Sequence, residues 1–113
     1  WRQGLTGNEI LARALERARA AGLLNPRIYS HSLGFFLHEP GPLMGLPWEQ
    51  VCCPGRGDVV MRYDTCYTVE LSVTVPVPEW GGQEVPIMLE QDAAFTPQGV
   101  SFLDGRQTAF HLI

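Results

Sequence analysis

Two histidines and two glutamates in this sequence have residue types and positions that suit a metal site. His31 and His38 stand close together in a mostly apolar stretch, and Glu70 and Glu90 each interrupt a strand-like run. One imidazole and two carboxylates form a ligand set for a hard or borderline divalent metal. The second imidazole is then free for acid–base chemistry or for stabilising an oxyanion.

The first half of the chain predicts a helix, a short strand and a long loop. Thr6-Gly-Asn-Glu9 forms a capping box, and the residues after it favour a helix from about Gly7 to Ala21 with one apolar stripe. A short strand is expected at Arg27–His31, leading into the first histidine. The segment Glu39–Gly57 is rich in proline and glycine, which predicts a long ordered loop with Trp48 as its largest apolar anchor.

The second half of the chain predicts antiparallel strands that carry the two glutamates. A β-rich region is expected at Val59–Val75, and its alternation places Glu70 on a polar face between Thr68 and Ser72. A returning strand is expected at Val85–Ala94, with Glu90 inside it. One helix followed by several antiparallel strands predicts the α+β class.

Composition narrows the possible settings and partners. The chain has 113 residues, which suits one domain, and a net charge of −4, which gives no electrostatic basis for binding nucleic acid or an anionic membrane. No apolar run reaches the ~20 residues that span a bilayer. The three cysteines do not form a disulfide pattern, so we expect a reduced, cytoplasmic setting.

Four stretches together resemble the pita-bread metallopeptidases, a family that includes methionine aminopeptidase, Xaa-Pro aminopeptidase, Xaa-Pro dipeptidase and the creatinases. The predicted helix resembles the family's helix before its histidine motif. The segment His31–Glu39 resembles the pattern His-x-x-Gly-x-x-x-His-Glu, and Thr68-Val-Glu70 resembles the first glutamate strand. Glu90-Gln-Asp92 followed by Thr96-Pro-Gln-Gly99 resembles the second. The Gly-Pro pair after His38-Glu39 favours the branch that handles proline.

The resemblance implies a role for each matched residue. His31, Glu70 and Glu90 would be metal ligands, Glu70 would also accept a proton from the attacking water, and His38 would contact the substrate carbonyl. The cofactor would be a divalent metal (Mn, Co or Zn), with two ions in a complete site. Residues 1–113 would be the C-terminal portion of the catalytic domain, half of a pita-bread fold with one long helix on an antiparallel sheet.

The resemblance has departures, and these leave alternatives open. The family's two aspartate ligands come before the histidine motif, whereas no aspartate precedes His31 here, and Ser30 and Ser32 stand where glycines are usual. We therefore expect this chain alone to be inactive, and to form a homodimer or to pair with the missing half-domain. The alternative is a non-catalytic pita-bread module that binds peptides or proteins. In that case His31 would be a structural histidine and Glu70 a solvent-facing acid.

Overall fold

The computed structural model describes residues 1–113 and has one α-helix packed on a five-stranded antiparallel sheet. The α+β class predicted from the sequence is confirmed. The elements are α1 (Gly7–Ala20), β1 (Leu24–Tyr29), β2 (Ser32–Leu33), β3 (Thr65–Val77), β4 (Gln83–Thr96) and β5 (Gly99–Phe102), with short 3-10 turns at Arg56–Asp58 and Pro78–Trp80. None of the helices combines the length and the apolar character needed to cross a membrane.

Helix α1 begins at the capping box that the sequence predicts. The Thr6 hydroxyl accepts a hydrogen bond from the Glu9 amide at 3.2 Å, and the Thr6 amide donates to the Glu9 carboxylate at 2.8 Å. The helix ends one residue before the predicted Ala21, because Gly22 adopts a positive φ of 75° and the chain turns away. Gly7 lets the helix start lie against the loop, since a Cβ there would come within 2.1 Å of the Leu43 carbonyl oxygen.

The sheet has the order β1-β3-β4-β5, and β2 also pairs with β3. Strands β3 and β4 form an unbroken ladder from the pair Thr65–Phe95 to the pair Val77–Gln83. One face of this ladder carries Tyr67, Val69 and Leu71. The other, which we call the polar face, carries Thr68, Glu70 and Ser72 of β3 with Asp92, Glu90 and Met88 of β4.

Two predicted strand boundaries are wrong, for local reasons. The region predicted from Val59 becomes a strand only at Thr65, because Asp64 has a positive φ of 59° and turns the chain into β3. The strand predicted at Arg27–His31 lies earlier, at Leu24–Tyr29. It ends there because Ser30 leaves β1 and exchanges two backbone hydrogen bonds with Met44, at 3.0 and 2.9 Å.

The core lies between α1 and the Tyr67 end of the sheet. Its fully packed members are Ile10, Met44, Met61, Tyr67 and Phe95. The long loop is anchored by Met44, whose backbone is bonded to Ser30 and whose side chain enters the core. The prediction that Trp48 anchors this loop is wrong, because 77% of its surface is exposed. Farther along the β3–β4 hairpin, Leu71, Val75 and Leu89 remain exposed.

Candidate functional site

The ladder places Glu70 and Glu90 side by side on the polar face. The two residues are directly paired across β3 and β4, and Tyr29 of β1 is paired with Glu70 from the other side. Directly opposed residues have Cβ atoms about 4.5–5.5 Å apart and point to the same face. A row of Tyr29, Glu70 and Glu90 therefore runs across three strands, with both carboxylates on one surface.

His31 is fixed beside this row by hydrogen bonds to its backbone. It is buried, with 3% of its surface exposed, and lies just after β1. The Thr68 amide donates to the His31 carbonyl at 3.0 Å, and the His31 amide donates to the Thr68 hydroxyl at 3.1 Å. Thr68 thus sets the height of His31 along the sheet, one row from Glu70.

The carbonyl of Ser32 determines which ring nitrogen of His31 faces the carboxylates. The His31 Nδ1 atom lies 3.0 Å from this carbonyl oxygen, which can only accept a hydrogen bond, so Nδ1 must carry a proton. The other nitrogen, Nε2, lies 3.5 Å from the Oε1 atom of Glu70. In the neutral ring, the lone pair of Nε2 is therefore available at the polar face.

His38 lies at the edge of the same group. Its ring stacks on the ring of His31, with centroids 4.1 Å apart and planes inclined by 23°. The ring of Tyr29 also contacts His31, with centroids 5.3 Å apart. His38 is exposed whereas His31 is buried, so the ring of His38 is the one open to bulk solvent.

The electrostatics of the site favour a bound proton or cation. Burial, followed by the charge of Glu90, raises the pKa of Glu70. The hydrogen bond from Thr68 and the two histidines act in the opposite direction. Burial and the nearby Glu70 also raise the pKa of the Tyr29 hydroxyl. A positive charge between the two carboxylates would relieve the repulsion that raises the pKa of Glu70.

Glu70 and Glu90 line an open cleft of about 410 Å³. This volume lies within the range of small-ligand sites. Its apolar wall includes Ile28, Met88 and Leu89, and Arg27 also lines it. The cleft therefore combines an apolar wall with the carboxylate pair.

Two of the three candidate ligands, His31 and Glu70, are spaced as ligands of one metal ion would be, and Glu90 is not grouped with them. Two ligands about 2.1 Å from one tetrahedral metal lie about 3.4 Å from each other. The 3.5 Å between His31 Nε2 and Glu70 Oε1 is close to that separation. No group of three or more histidine, cysteine or acidic side chains is arranged to hold a metal ion. Glu90, on the neighbouring strand, would need to move its exposed side chain inward to join them.

Sequence reasoning missed the residues that orient His31. Thr68 holds its backbone, and the Ser32 carbonyl holds its ring. The Ser30 hydroxyl donates to the Thr68 carbonyl at 2.6 Å, which ties the two segments together again. The serines that depart from the family pattern are therefore used in hydrogen bonds. The alternation Thr68-Val-Glu70 was the only signal for Thr68, because it places the two residues on one face.

Two further side chains, Asp92 and His111, could be mistaken for site residues from the sequence. Asp92 is exposed and paired with Thr68, one row from the carboxylate pair, and His111 is exposed near the end of the chain.

In comparisons with known proteins, the chain matches no family model, no curated protein and no solved structure.

Proposed function

We propose that this chain is part of a metal-dependent peptidase that hydrolyses bonds next to proline. One observation carries the proposal. The Ser32 carbonyl holds the proton of His31 on Nδ1, so the lone pair of Nε2 faces Glu70, and Glu70 is directly paired with Glu90. Imidazole and carboxylate ligands of this kind suit Mn²⁺, Co²⁺ or Zn²⁺. Specificity for proline rests on the resemblance of the His31–Pro42 segment to the proline-handling branch.

Each residue has a role that agrees with its surroundings. A bound divalent metal would lower the pKa of a water molecule and polarise the scissile carbonyl. Glu70 lies 3.5 Å from His31 Nε2 and would take a proton from that water. The exposed ring of His38, stacked on His31, would donate a hydrogen bond to the substrate carbonyl. Glu90 would be the third ligand.

Metal binding by the chain is the direct test. We expect Mn²⁺ to bind one site, measured by isothermal titration calorimetry and by the loss of the free Mn²⁺ signal in electron paramagnetic resonance. His31→Ala and Glu90→Gln should each weaken binding by about tenfold or more, as seen when supporting groups of metal sites are lost. His111→Ala is the control, because His111 is exposed and distant in sequence from the site.

Equal Mn²⁺ affinity in the parent chain, His31→Ala and Glu90→Gln would contradict the ligand assignment. A loss in His31→Ala with no loss in Glu90→Gln would restrict the site to His31 and Glu70, and the assignment of Glu90 as the third ligand would be wrong.

The activity expected of residues 1–113 alone is low. In the family that the chain resembles, two metals share a hydroxide, and two aspartates complete their ligands. No aspartate precedes His31 in this sequence. We therefore expect little or no hydrolysis of Xaa-Pro peptides, even with added Mn²⁺, measured by release of free proline. Robust turnover that depends on Mn²⁺ and on His31 would contradict this expectation.

A non-catalytic peptide-binding role is the second candidate. It is favoured by the lack of a three-ligand group and by the open cleft beside the carboxylate pair. Nuclear magnetic resonance titration with Ala-Pro in the presence of a chelator separates the two roles. Shifts at Met88 and Leu89 without metal, together with no Mn²⁺ binding, would favour the binding module.

A further inference from the structure

His38 lies at the end of the turn 34–38, whose apolar side chains are largely exposed and so contribute little packing. Leu37 has a positive φ of 66°, and the turn is closed by hydrogen bonds from the Leu37 amide to the Gly34 carbonyl and from the His38 amide to the Phe36 carbonyl. The side chains of Phe35, Phe36 and Leu37 are 93%, 77% and 66% exposed. Burial of the tip therefore does not determine where His38 lies.

Glu39, which has no role in the site described above, connects this turn to the rest of the molecule. Its Oε1 atom accepts a hydrogen bond from the Phe36 amide at 2.9 Å. Its backbone is fixed at both polar groups: the amide donates to the Ser32 carbonyl at 3.0 Å, and the carbonyl accepts from the Ser32 hydroxyl at 3.0 Å and from Arg56 at 2.9 Å. A carboxylate on a fixed backbone thus reaches back to the turn.

Gly34 makes room for that carboxylate. A Cβ atom at Gly34 would lie 2.6 Å from Glu39 Cγ and 2.7 Å from its Oε1 atom. The backbone of Gly34 is not in the left-handed region, so the space that Glu39 occupies is the constraint at this position. The Glu39 side chain is therefore packed over the first residue of the turn and bonded to its tip.

We propose that Glu39 is a positioning residue that holds the turn 34–38 so that the ring of His38 stacks on the ring of His31. Glu39 does not touch the metal ligands or a substrate; it acts through the backbone that carries His38. The importance of this position for catalysis rests on the proposed function, but the placement of the ring does not.

The placement can be measured without metal or peptide. In the parent chain we expect nuclear Overhauser cross-peaks between the ring protons of His31 and His38, since their centroids are 4.1 Å apart. In Glu39→Ala, loss of the bond to the Phe36 amide should shift the ratio of stacked to unstacked His38 about fivefold toward the unstacked form. Glu39→Gln should restore the cross-peaks, because its amide oxygen can accept the same hydrogen bond.

Two further variants make the test specific. In Gly34→Ala the added methyl group would displace the Glu39 carboxylate, and the same cross-peaks should weaken. Glu49→Ala is the matched control, because Glu49 also accepts a backbone hydrogen bond, from the Val51 amide at 3.0 Å, in a different turn. It should leave the cross-peaks unchanged.

Unchanged stacking in both Glu39→Ala and Gly34→Ala would overturn the proposal. Far-ultraviolet circular dichroism identifies any variant that does not fold. If Glu39→Ala is one of these, Gly34→Ala compared with Glu39→Gln decides the question. Because the chain is free of metal, failure of the peptidase proposal would appear only in the Mn²⁺ titration and not in this experiment.

Discussion

Glu70 is the side chain of the polar face that is influenced by the most charged neighbours, namely Glu90, His31 and His38. It is paired with Glu90, and its Oε1 atom lies 3.5 Å from His31 Nε2. Burial and Glu90 disfavour its ionised form more than Thr68 and the histidines favour it, so its pKa is raised. Without a bound cation, this residue lowers the stability of the folded chain at neutral pH.

The first prediction concerns Glu70 and pH. Because the folded chain holds the Glu70 proton more tightly than the unfolded chain, its contribution to stability is fully present below the unfolded pKa of about 4.3. This contribution is lost as the pH rises through the raised pKa of the folded state. Glu70→Gln should remove this loss and stabilise the metal-free chain at pH 7 by up to about 1 kcal/mol.

Urea unfolding of the parent chain and of Glu70→Gln, repeated from pH 4 to pH 8, measures the effect (about 0.2–1 kcal/mol for a cross-strand pair). Glu84→Gln is the control, because Glu84 is exposed and paired with Pro76 instead of another acid. A Glu70→Gln variant that is less stable than the parent at pH 7 would contradict the electrostatic argument.

At the scale of elements, α1 holds the core end of the sheet, and with it the strand that carries Thr68 and Glu70. Its residue Ile10 packs with Tyr67, which lies on β3 immediately before Thr68. The start of the helix is fixed by the Thr6 cap and by the close approach of Gly7 to Leu43. Fraying of this first turn would loosen the same core that supports the site.

The second prediction tests this cap. Thr6→Ala removes the hydroxyl that accepts from the Glu9 amide. It should destabilise the chain by about 1 kcal/mol. Thr108→Ala, at an exposed position in the C-terminal segment, is the matched control. The measurement is the urea midpoint, and equal midpoints for Thr6→Ala and Thr108→Ala would mean that the cap does not support the fold.

Local signals in the sequence predicted α1 and the polar face. The end of β1, the exposure of Trp48 and the ring orientation of His31 depend on contacts that local signals do not reveal. The capping box and the alternation around Glu70 depend on neighbours in the chain, so they could be recognised directly. The end of β1 at Ser30 depends on Met44, and the exposure of Trp48 follows from the same loop path. The ring orientation of His31 depends on the Ser32 carbonyl, a backbone group that occurs in every residue and leaves no mark in the sequence.

At the scale of the whole molecule, the β3–β4 hairpin extends beyond the helix that covers it. The molecule measures 45 Å along its longest axis, and the 14-residue helix is about 21 Å long. A strand as long as β3 spans about 43 Å. The outer part of the hairpin therefore leaves Leu71, Val75 and Leu89 exposed, on the part of the apolar face that the helix does not cover.

The third prediction is that two copies of the chain associate through this uncovered face, forming an isologous dimer. Sedimentation velocity at micromolar concentration should show a dimer of the 12.6 kDa chain. Leu89→Lys should weaken the association, whereas Leu112→Lys, in the exposed C-terminal segment, should not. A stable monomer at these concentrations would contradict the prediction.

The unbroken ladder between β3 and β4 also limits how the length of this hairpin can change. Glu70 and Glu90 share a face only because the pairing from Val77–Gln83 down to Glu70–Glu90 keeps its register. A residue inserted on one side alone would have to bulge out or turn the alternation over, which would move one glutamate to the apolar face. Length changes that preserve the carboxylate pair are thus confined to the tip beyond Val77, matched on both strands, or taken up as a bulge in one strand. The hairpin can therefore lengthen freely at its end, whereas a one-sided insertion along its stem distorts the ladder.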